Sequence, residues 1–252
     1  METSSKPNLK LAKKVLPKPL METLIFLIES QLENCVLVGG TALSGFYIAH
    51  RRSDDIDLFT KDQISFKSAQ KAVSTLRDKS IHFLKETTSA FYYHANCTFK
   101  KHSFTIDIVL DSHFFEVGEF YNIEGKMQIA SLKTLICMKS AALVSRCSEK
   151  DLYDLIYLLK LYPNISISEF IEMGRTIDRG VHPESMLASL GGTLLREEAC
   201  DFSLDSKINK KTIYKEITHF QKELIKSLQI FLKNQDPHPL NELFIKARKI
   251  LK

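Results

Sequence analysis

Several things are missing from this chain of 252 residues, and each absence excludes a class of protein. No apolar run is long enough to cross a bilayer, and there is no internal repeat and no low-complexity tract. That argues against a membrane span, a solenoid and a fibrous protein. The first twenty residues carry Lys6, Lys10, Lys13, Lys14 and Lys18, but no apolar segment of signal-peptide type follows them, so a soluble protein is expected. Cysteine is scarce and odd in number. Cys35, Cys97, Cys137, Cys147 and Cys200 contain no Cys-x-x-Cys pair, which argues against a disulfide framework and a structural zinc site and favours a reducing cytoplasm. What remains is ordinary globular material, 44% hydrophobic and 26% charged, enough for one large domain or two modest ones.

The charge is unevenly spread. Residues 207–252 hold ten Lys and one Arg against Asp236 and three Glu, a net of +7; the whole chain carries +5, so the remainder is near −2. A basic C-terminal face of this kind attracts polyphosphate, with nucleic acid its commonest cellular form; the alternative is a solvated helix whose lysines face water.

Hydrophobic period gives the organisation. Residues 16–32 place Leu20, Leu24, Leu27 and Ile28 at helical spacing, and the apolar run 35–38 follows as a short buried strand. Gly39 and Gly40 close that strand and a helix is expected from Thr41 to about residue 49. The free backbone N–H groups at such a start, at the positive end of the helix dipole, stabilise an anion. Strands are expected at 55–60, 81–84 and 104–110, with a helix over 65–79. Beyond about residue 128 the pattern turns helical: 132–146, 149–161, one or more helices within 168–199, then 210–234 and 240–251. The stretch 174–192 is the least legible. The fold class is therefore α/β, a small mixed-sheet core over residues 1–127 followed by an α-helical domain over residues 128–252.

Asp55-Ile56-Asp57 carries the chemistry. On a strand the two carboxylates share one side while Ile56 and Leu58 point to the core, and adjacent anions repel unless a cation lies between them. Magnesium suits such a site, because it takes hard oxygen ligands and shares its shell with substrate phosphates. Alone, Asp-x-Asp more often marks an exposed strand end. The nearby glycine turn turns the pair into a metal and triphosphate site. Asp107 lies on the polar side of a strand whose other side is Phe104, Ile106, Ile108 and Leu110, so it is either a third ligand making room for a second ion or a solvent-facing residue.

These residues carry a resemblance. The stretch VGGTALSGFYIAHRRSDDIDLF, residues 38–59, resembles the signature of the AbiEii/AbiGii toxin group of polymerase-beta-type nucleotidyltransferases. Its features are Gly39-Gly40-Thr41-Ala42-Leu43, His50-Arg51, Ser53 and Asp55-Ile56-Asp57-Leu58-Phe59. The chain departs from the wider superfamily in having Gly40-Thr41 for Gly-Ser and a longer gap to Asp-x-Asp; Thr41 keeps the hydroxyl. The stretch LKTLICMKSAALVSRCSEKDLYDLIYLL, residues 132–159, is similar to the same group, with Lys139, Arg146, Asp151 and Asp154 at the matching positions. The residues themselves allow other readings. Lys139 falls within the stripe of Leu132, Leu135, Ile136 and Leu143, out of place unless its ammonium reaches an anion or snorkels to water. Ser148 and Asp151 read as an N-cap with an acidic first turn, which would explain Asp151 structurally.

The resemblance implies an enzyme that moves a nucleoside monophosphate from an NTP to an acceptor hydroxyl and releases pyrophosphate. Asp55, Asp57, Lys139, Asp151 and Asp154 would be catalytic. Gly39, Gly40, Thr41, Arg51, Ser53 and Arg146 would bind nucleotide, and Asp55, Asp57 and Asp107 would hold one or two Mg2+ ions. Nucleotide is expected between the two domains. The resemblance further implies the toxin of a bacterial toxin–antitoxin or phage-defence pair, with a cognate antitoxin and an RNA acceptor, the tRNA 3′ end foremost. A protein-modifying, AMPylating-type nucleotidyltransferase and a non-catalytic nucleotide-binding module are the other classes.

Overall fold

The apolar run at 35–38 forms Cys35–Val38 (β1), buried at every position, and β1 lies near the middle of a mixed sheet. In the computed structural model, which describes residues 5–234 and 239–240, internal contacts divide the chain into two units, Met1–Leu135 and Ile136–Lys252.

The first unit contains the sheet. Among the described residues, β1, Asp55–Thr60 (β2), His82–Thr88 (β3), Tyr92–Phe99 (β4), His102–Leu110 (β5), Phe120–Ile123 (β6) and Met127–Ala130 (β7) run in the order β3-β4-β5-β2-β1-β7-β6. The pairs β1/β7 and β2/β5 are parallel and the others antiparallel. Period-two alternation sorts the central strands. Ile56 and Leu58 on β2, Phe104, Ile106 and Ile108 on β5, and Ala95 and Cys97 on β4 are buried, while Asp55, Asp57, Asp107 and His94 are less so. Each fully buried aliphatic side chain contributes about 1.5–3 kcal/mol.

Lys18–Glu29 (α2) and Gln63–Thr75 (α3) pack on the sheet. Helix α2 buries Leu20, Leu24, Leu27 and Ile28 at the anticipated spacing. Helix α3 starts two residues earlier than its periodicity suggested, because Asp62 caps it: the Ser65 amide donates to Asp62 Oδ1 at 2.8 Å. Leu9–Val15 (α1), capped by Asn8, and Ser112–Val117 (α4), capped by Asp111, were not anticipated, each being under two turns long. Strand β4 was missed, as were the four-residue strands β6 and β7. The helix expected after the glycine turn is wound as a π-helix, Thr41–Ile48, closed by an Ala49 N–H to Ser44 C=O bond of 2.9 Å. All eight of its residues are buried. Such windings are rare and concentrate at functional sites.

The second unit is helical. It holds most of Leu132–Ser145 (α5), then Glu149–Leu161 (α6), Ile167–Ile177 (α7), Pro183–Gly192 (α8) and Lys210–Asn234 (α9). Helix α9 buries Ile213, Ile217, Phe220 and Leu224, the stripe its sequence shows, and α6 through α8 pack around it with Phe170, Ile171, Met186 and Leu190. The helix expected at 240–251 lies outside the described residues apart from Leu240.

Candidate active site

The strand register assembles the carboxylates. Asp57 pairs with Val38 at the end of β1 and, on its other side, with Asp107 of β5; Asp55 pairs with Thr105. Because all four are spaced by two, Asp55, Asp57, Thr105 and Asp107 point from one face of the sheet. The Thr105 hydroxyl donates to Asp55 Oδ1 at 3.0 Å. Asp107 is not a merely solvent-facing residue: Oδ1 accepts from the Tyr92 hydroxyl at 2.5 Å and lies 2.8 Å from His94 Nδ1. Burial first, and then the negative charge of Asp107 and Asp57, push the Tyr92 phenol up to about 12, so it remains a donor at neutral pH.

The glycine turn lies directly beside this face. Gly39 has φ +70°, and a Cβ there would stand 1.9 Å from Asp57 Oδ2, so the carboxylate occupies the space a side chain would fill. A Cβ on Gly40 would stand 2.5 Å from Arg51 Nη2 and 2.9 Å from Ser53 Oγ. The loop thus folds back and lays a buried guanidinium over the Gly40 backbone. Thr41 is fully buried, and its hydroxyl donates to the Asp55 carbonyl at 2.5 Å with Ser53 Oγ at 3.1 Å. In this arrangement Thr41 ties the start of the π-helix to the start of β2. The Ser44 hydroxyl bonds the Arg51 carbonyl and fixes the return of the loop. The expected nucleotide-binding residues Gly39, Gly40, Thr41, Arg51 and Ser53 are therefore brought together, next to Asp55 and Asp57.

The donor set fits a divalent cation of the hard type. Asp55, Asp57 and Asp107 offer carboxylate oxygens only, and Gly39, lacking a Cβ, leaves room beside the turn for the Asp57 carboxylate. Among the described residues no three His, Cys, Asp or Glu side chains are gathered closely enough to enclose an ion by themselves. An open site is what magnesium uses, with one or two carboxylates plus substrate phosphates and water.

In the helical unit Lys139 of α5 does not snorkel. Its ammonium is buried, 2.7 Å from Asp151 Oδ1 and 2.7 Å from Asp154 Oδ2, both carboxylates also buried on α6. Ser148 caps α6, as expected: the Asp151 amide donates to its Oγ at 3.2 Å and the hydroxyl donates to Asp151 Oδ2 at 2.6 Å. Burial would raise the Asp151 carboxyl, but Lys139, Arg146 and the hydrogen bonds from Lys139 and Ser148 outweigh it and hold the group below its ordinary value. Arg146 itself is largely exposed, its Nε 3.7 Å from Asp151 Oδ2.

Comparison with known proteins decides the family. The profile described as nucleotidyl transferase AbiEii toxin, type IV TA system, matches residues 25–228. The chain belongs to the AbiEii family. The family's description is of a nucleotidyltransferase toxin, the class anticipated from the sequence, and the anticipated mixed α/β fold is the one observed in this chain. Protein aq_aa25 of Aquifex aeolicus (strain VF5) is 32% identical over 127 residues, 49% of this chain and 57% of that protein, so the chain spans under two thirds of this relative's length. Two solved structures are also similar. MenT4, the nucleotidyltransferase toxin Rv2826c of Mycobacterium tuberculosis H37Rv, has 11% identity and a TM-score of 0.48, covering 89% of this chain and 99% of its own. JHP933 of Helicobacter pylori has 18% identity and a TM-score of 0.46, covering 85% and 95%.

Tyr92, His94 and Thr105 were missed from the sequence. Thr105 lies within an anticipated strand, on the same side as Asp107, and a threonine there carries no signal beyond ordinary strand propensity. Tyr92 and His94 belong to β4, whose alternation of Tyr93, Ala95, Cys97 and Phe99 against Tyr92, His94, Asn96 and Thr98 was the available signal.

Proposed function

We propose that this AbiEii-family chain is a magnesium-dependent nucleotidyltransferase that moves a nucleoside monophosphate from an NTP to the hydroxyl at an RNA 3′ end, tRNA being the favoured acceptor. The observation that carries the reading is the strand register that sets Asp55, Asp57 and Asp107 on one sheet face beside Gly39 and Gly40. Asp55, Asp57 and Asp107 would hold the ion, which when bound neutralises phosphate charge and favours displacement at phosphorus. The backbone of the glycine turn and the Arg51 guanidinium supply the matching positive potential for the β- and γ-phosphates. The resemblance gives Lys139 the balancing of charge on the transferred phosphate, with Asp151 and Asp154 holding its ammonium in place and Arg146 as a nucleotide contact.

The basic face of α9 supports an RNA acceptor over a protein acceptor. Lys211, Lys215, Lys222, Lys226 and Lys233 are all exposed, and at 100° per residue they fall within an arc of roughly 60° over about 33 Å of helix. Gln229 shares that arc and Thr218 borders it; Glu223, outside the arc, pairs with Lys226 at 2.6 Å. The type IV toxin–antitoxin description of the family supports a cognate antitoxin; a place in phage defence follows from the resemblance alone, and a cytoplasmic site of action from the unpaired cysteine pattern.

The test is incubation of the full chain with labelled NTPs, Mg2+ and cell extract. Label is expected in RNA with pyrophosphate released, and Asp57→Ala is expected to abolish both while the protein stays folded. Label in protein would replace the RNA acceptor, absence of pyrophosphate release would leave a binding module, and full turnover by Asp57→Ala would remove the metal assignment.

A further inference from the structure

Asp107 is gripped unevenly. Its Oδ1 takes the Tyr92 hydroxyl at 2.5 Å and His94 Nδ1 at 2.8 Å, both from β4. Among the described residues Oδ2 has the Thr105 hydroxyl at 3.4 Å, and that hydroxyl is closer, 3.0 Å, to Asp55 Oδ1. A carboxylate only accepts, so His94 Nδ1 carries the hydrogen and donates to Asp107. The Tyr92 ring is stacked beside the His94 ring at 20° and 6.4 Å between centroids, and the Asn96 side-chain amide lies 3.2 Å from Nε2. Two donors saturating one oxygen lock the carboxylate's torsion and leave the other oxygen available on the side of Asp55.

The register shows that this grip is built by the sheet. His94 lies directly opposite Asp107 in the β4/β5 pairing, and Asp107 lies directly opposite Asp57 in the β5/β2 pairing, so His94, Asp107 and Asp57 form one row across three strands. Tyr92, two residues before His94, reaches along the same face. We propose that Tyr92 and His94 are positioning residues for nucleotidyl transfer, which orient Asp107 so that Oδ2 is presented to a divalent cation held with Asp55 and Asp57. This rests on the reading of those three carboxylates as the metal site. Neither side chain touches the ion or the substrate in this role; each acts through Asp107, as residues behind a metal ligand commonly do.

The experiment measures metal binding directly, with Mn2+ as the probe and free Mn2+ followed by paramagnetic resonance on the full chain. Tyr92→Phe removes one hydroxyl and keeps the ring. His94→Phe removes the donor and keeps the ring volume, and His94→Asn restores a donor near the place of Nδ1. Tyr92→Phe and His94→Phe are each expected to weaken Mn2+ binding about tenfold or more. Melting midpoints should move by no more than about 4 °C, whereas His94→Asn retains most of the affinity. In the transfer assay the same two variants should lower kcat while the NTP KM stays nearly constant. Wild-type Mn2+ affinity in Tyr92→Phe and His94→Phe, alongside its loss in Asp107→Asn, would overturn the positioning role and leave the metal site intact. Equal losses in His94→Asn and His94→Phe would overturn it for His94, because ring packing and not the hydrogen bond would then matter. Unchanged Mn2+ binding in Asp55→Asn and Asp107→Asn would instead remove the metal-site reading itself.

Discussion

Gly39 shows how much a single residue determines here. Its positive φ and the 1.9 Å between a hypothetical Cβ and Asp57 Oδ2 mean that any side chain must displace the carboxylate or the turn. Gly39→Ala is expected to cost about 1–2 kcal/mol of stability from the left-handed backbone alone. The loss of rate should be larger, about a hundredfold, because a shift of roughly 1 Å in a positioning group suffices for that. Denaturant midpoints and single-turnover transfer rates, measured together, check the two figures; full turnover in Gly39→Ala would show that Asp57 tolerates the shift. The glycine was legible in the sequence as a turn. That its missing side chain makes room for Asp57 was not, since the two are eighteen positions apart and meet only through the β1/β2 register.

Among the elements, α9 and β4 stand at opposite ends of legibility. Helix α9 runs Lys210–Asn234, the span its 3.6-residue period indicated, because one apolar stripe and a solvated opposite face are a local property. Its basic ridge yields a prediction on that scale. Changing Lys211, Lys215 and Lys222 together to Gln should raise the apparent KM for RNA and reduce the log–log salt slope by about 2, at about 0.7 per phosphate contact for single strands, while NTP affinity holds. An unaltered slope would mean that the ridge only solubilises the helix. Strand β4 escaped detection because the polar members of its alternation, Tyr92, His94 and Asn96, read as loop residues until partners on β5 give them a reason to be there.

For the molecule as a whole, the buried Lys139, Asp151 and Asp154 set is a stability element as well as a candidate catalytic one. Its net charge is −1, and taking away the ammonium leaves two buried carboxylates. Lys139→Met is therefore expected to destabilise the protein by about 3–5 kcal/mol, in addition to any effect on rate. Combining Lys139→Met with Asp151→Asn and Asp154→Leu should restore much of the stability by removing the stranded charges, yet leave transfer impaired. Recovery of full activity in that triple variant would make the set purely structural. The pH dependence has a definite sign. Asp151 is lowered on folding, so its stabilising contribution is complete above the ordinary carboxylate value and is lost as pH falls through the lowered one. Denaturant midpoints from pH 7 downward should show the deficit of Asp151→Asn relative to wild type shrinking at acid pH.

By itself the sequence determined what depends on near neighbours: the amphipathic helices α2, α6 and α9, the strands β1, β2 and β5, the Ser148 cap, and the pairing of Asp55 with Asp57 through period-two alternation. It left Lys139 with two readings, an anion within reach or a head snorkelling to water. Tertiary structure alone decided that Asp107 stands opposite Asp57, that Arg51 lies over Gly40, that the turn after β1 winds as a π-helix, and that both Asp151 and Asp154 enclose Lys139. Each of these joins residues through strand register, a returning loop or helix packing, where the hydrogen-bonding and packing partner is absent from the local sequence window. A carboxylate on a strand reads the same whether it faces solvent or a tyrosine and a histidine from the next strand.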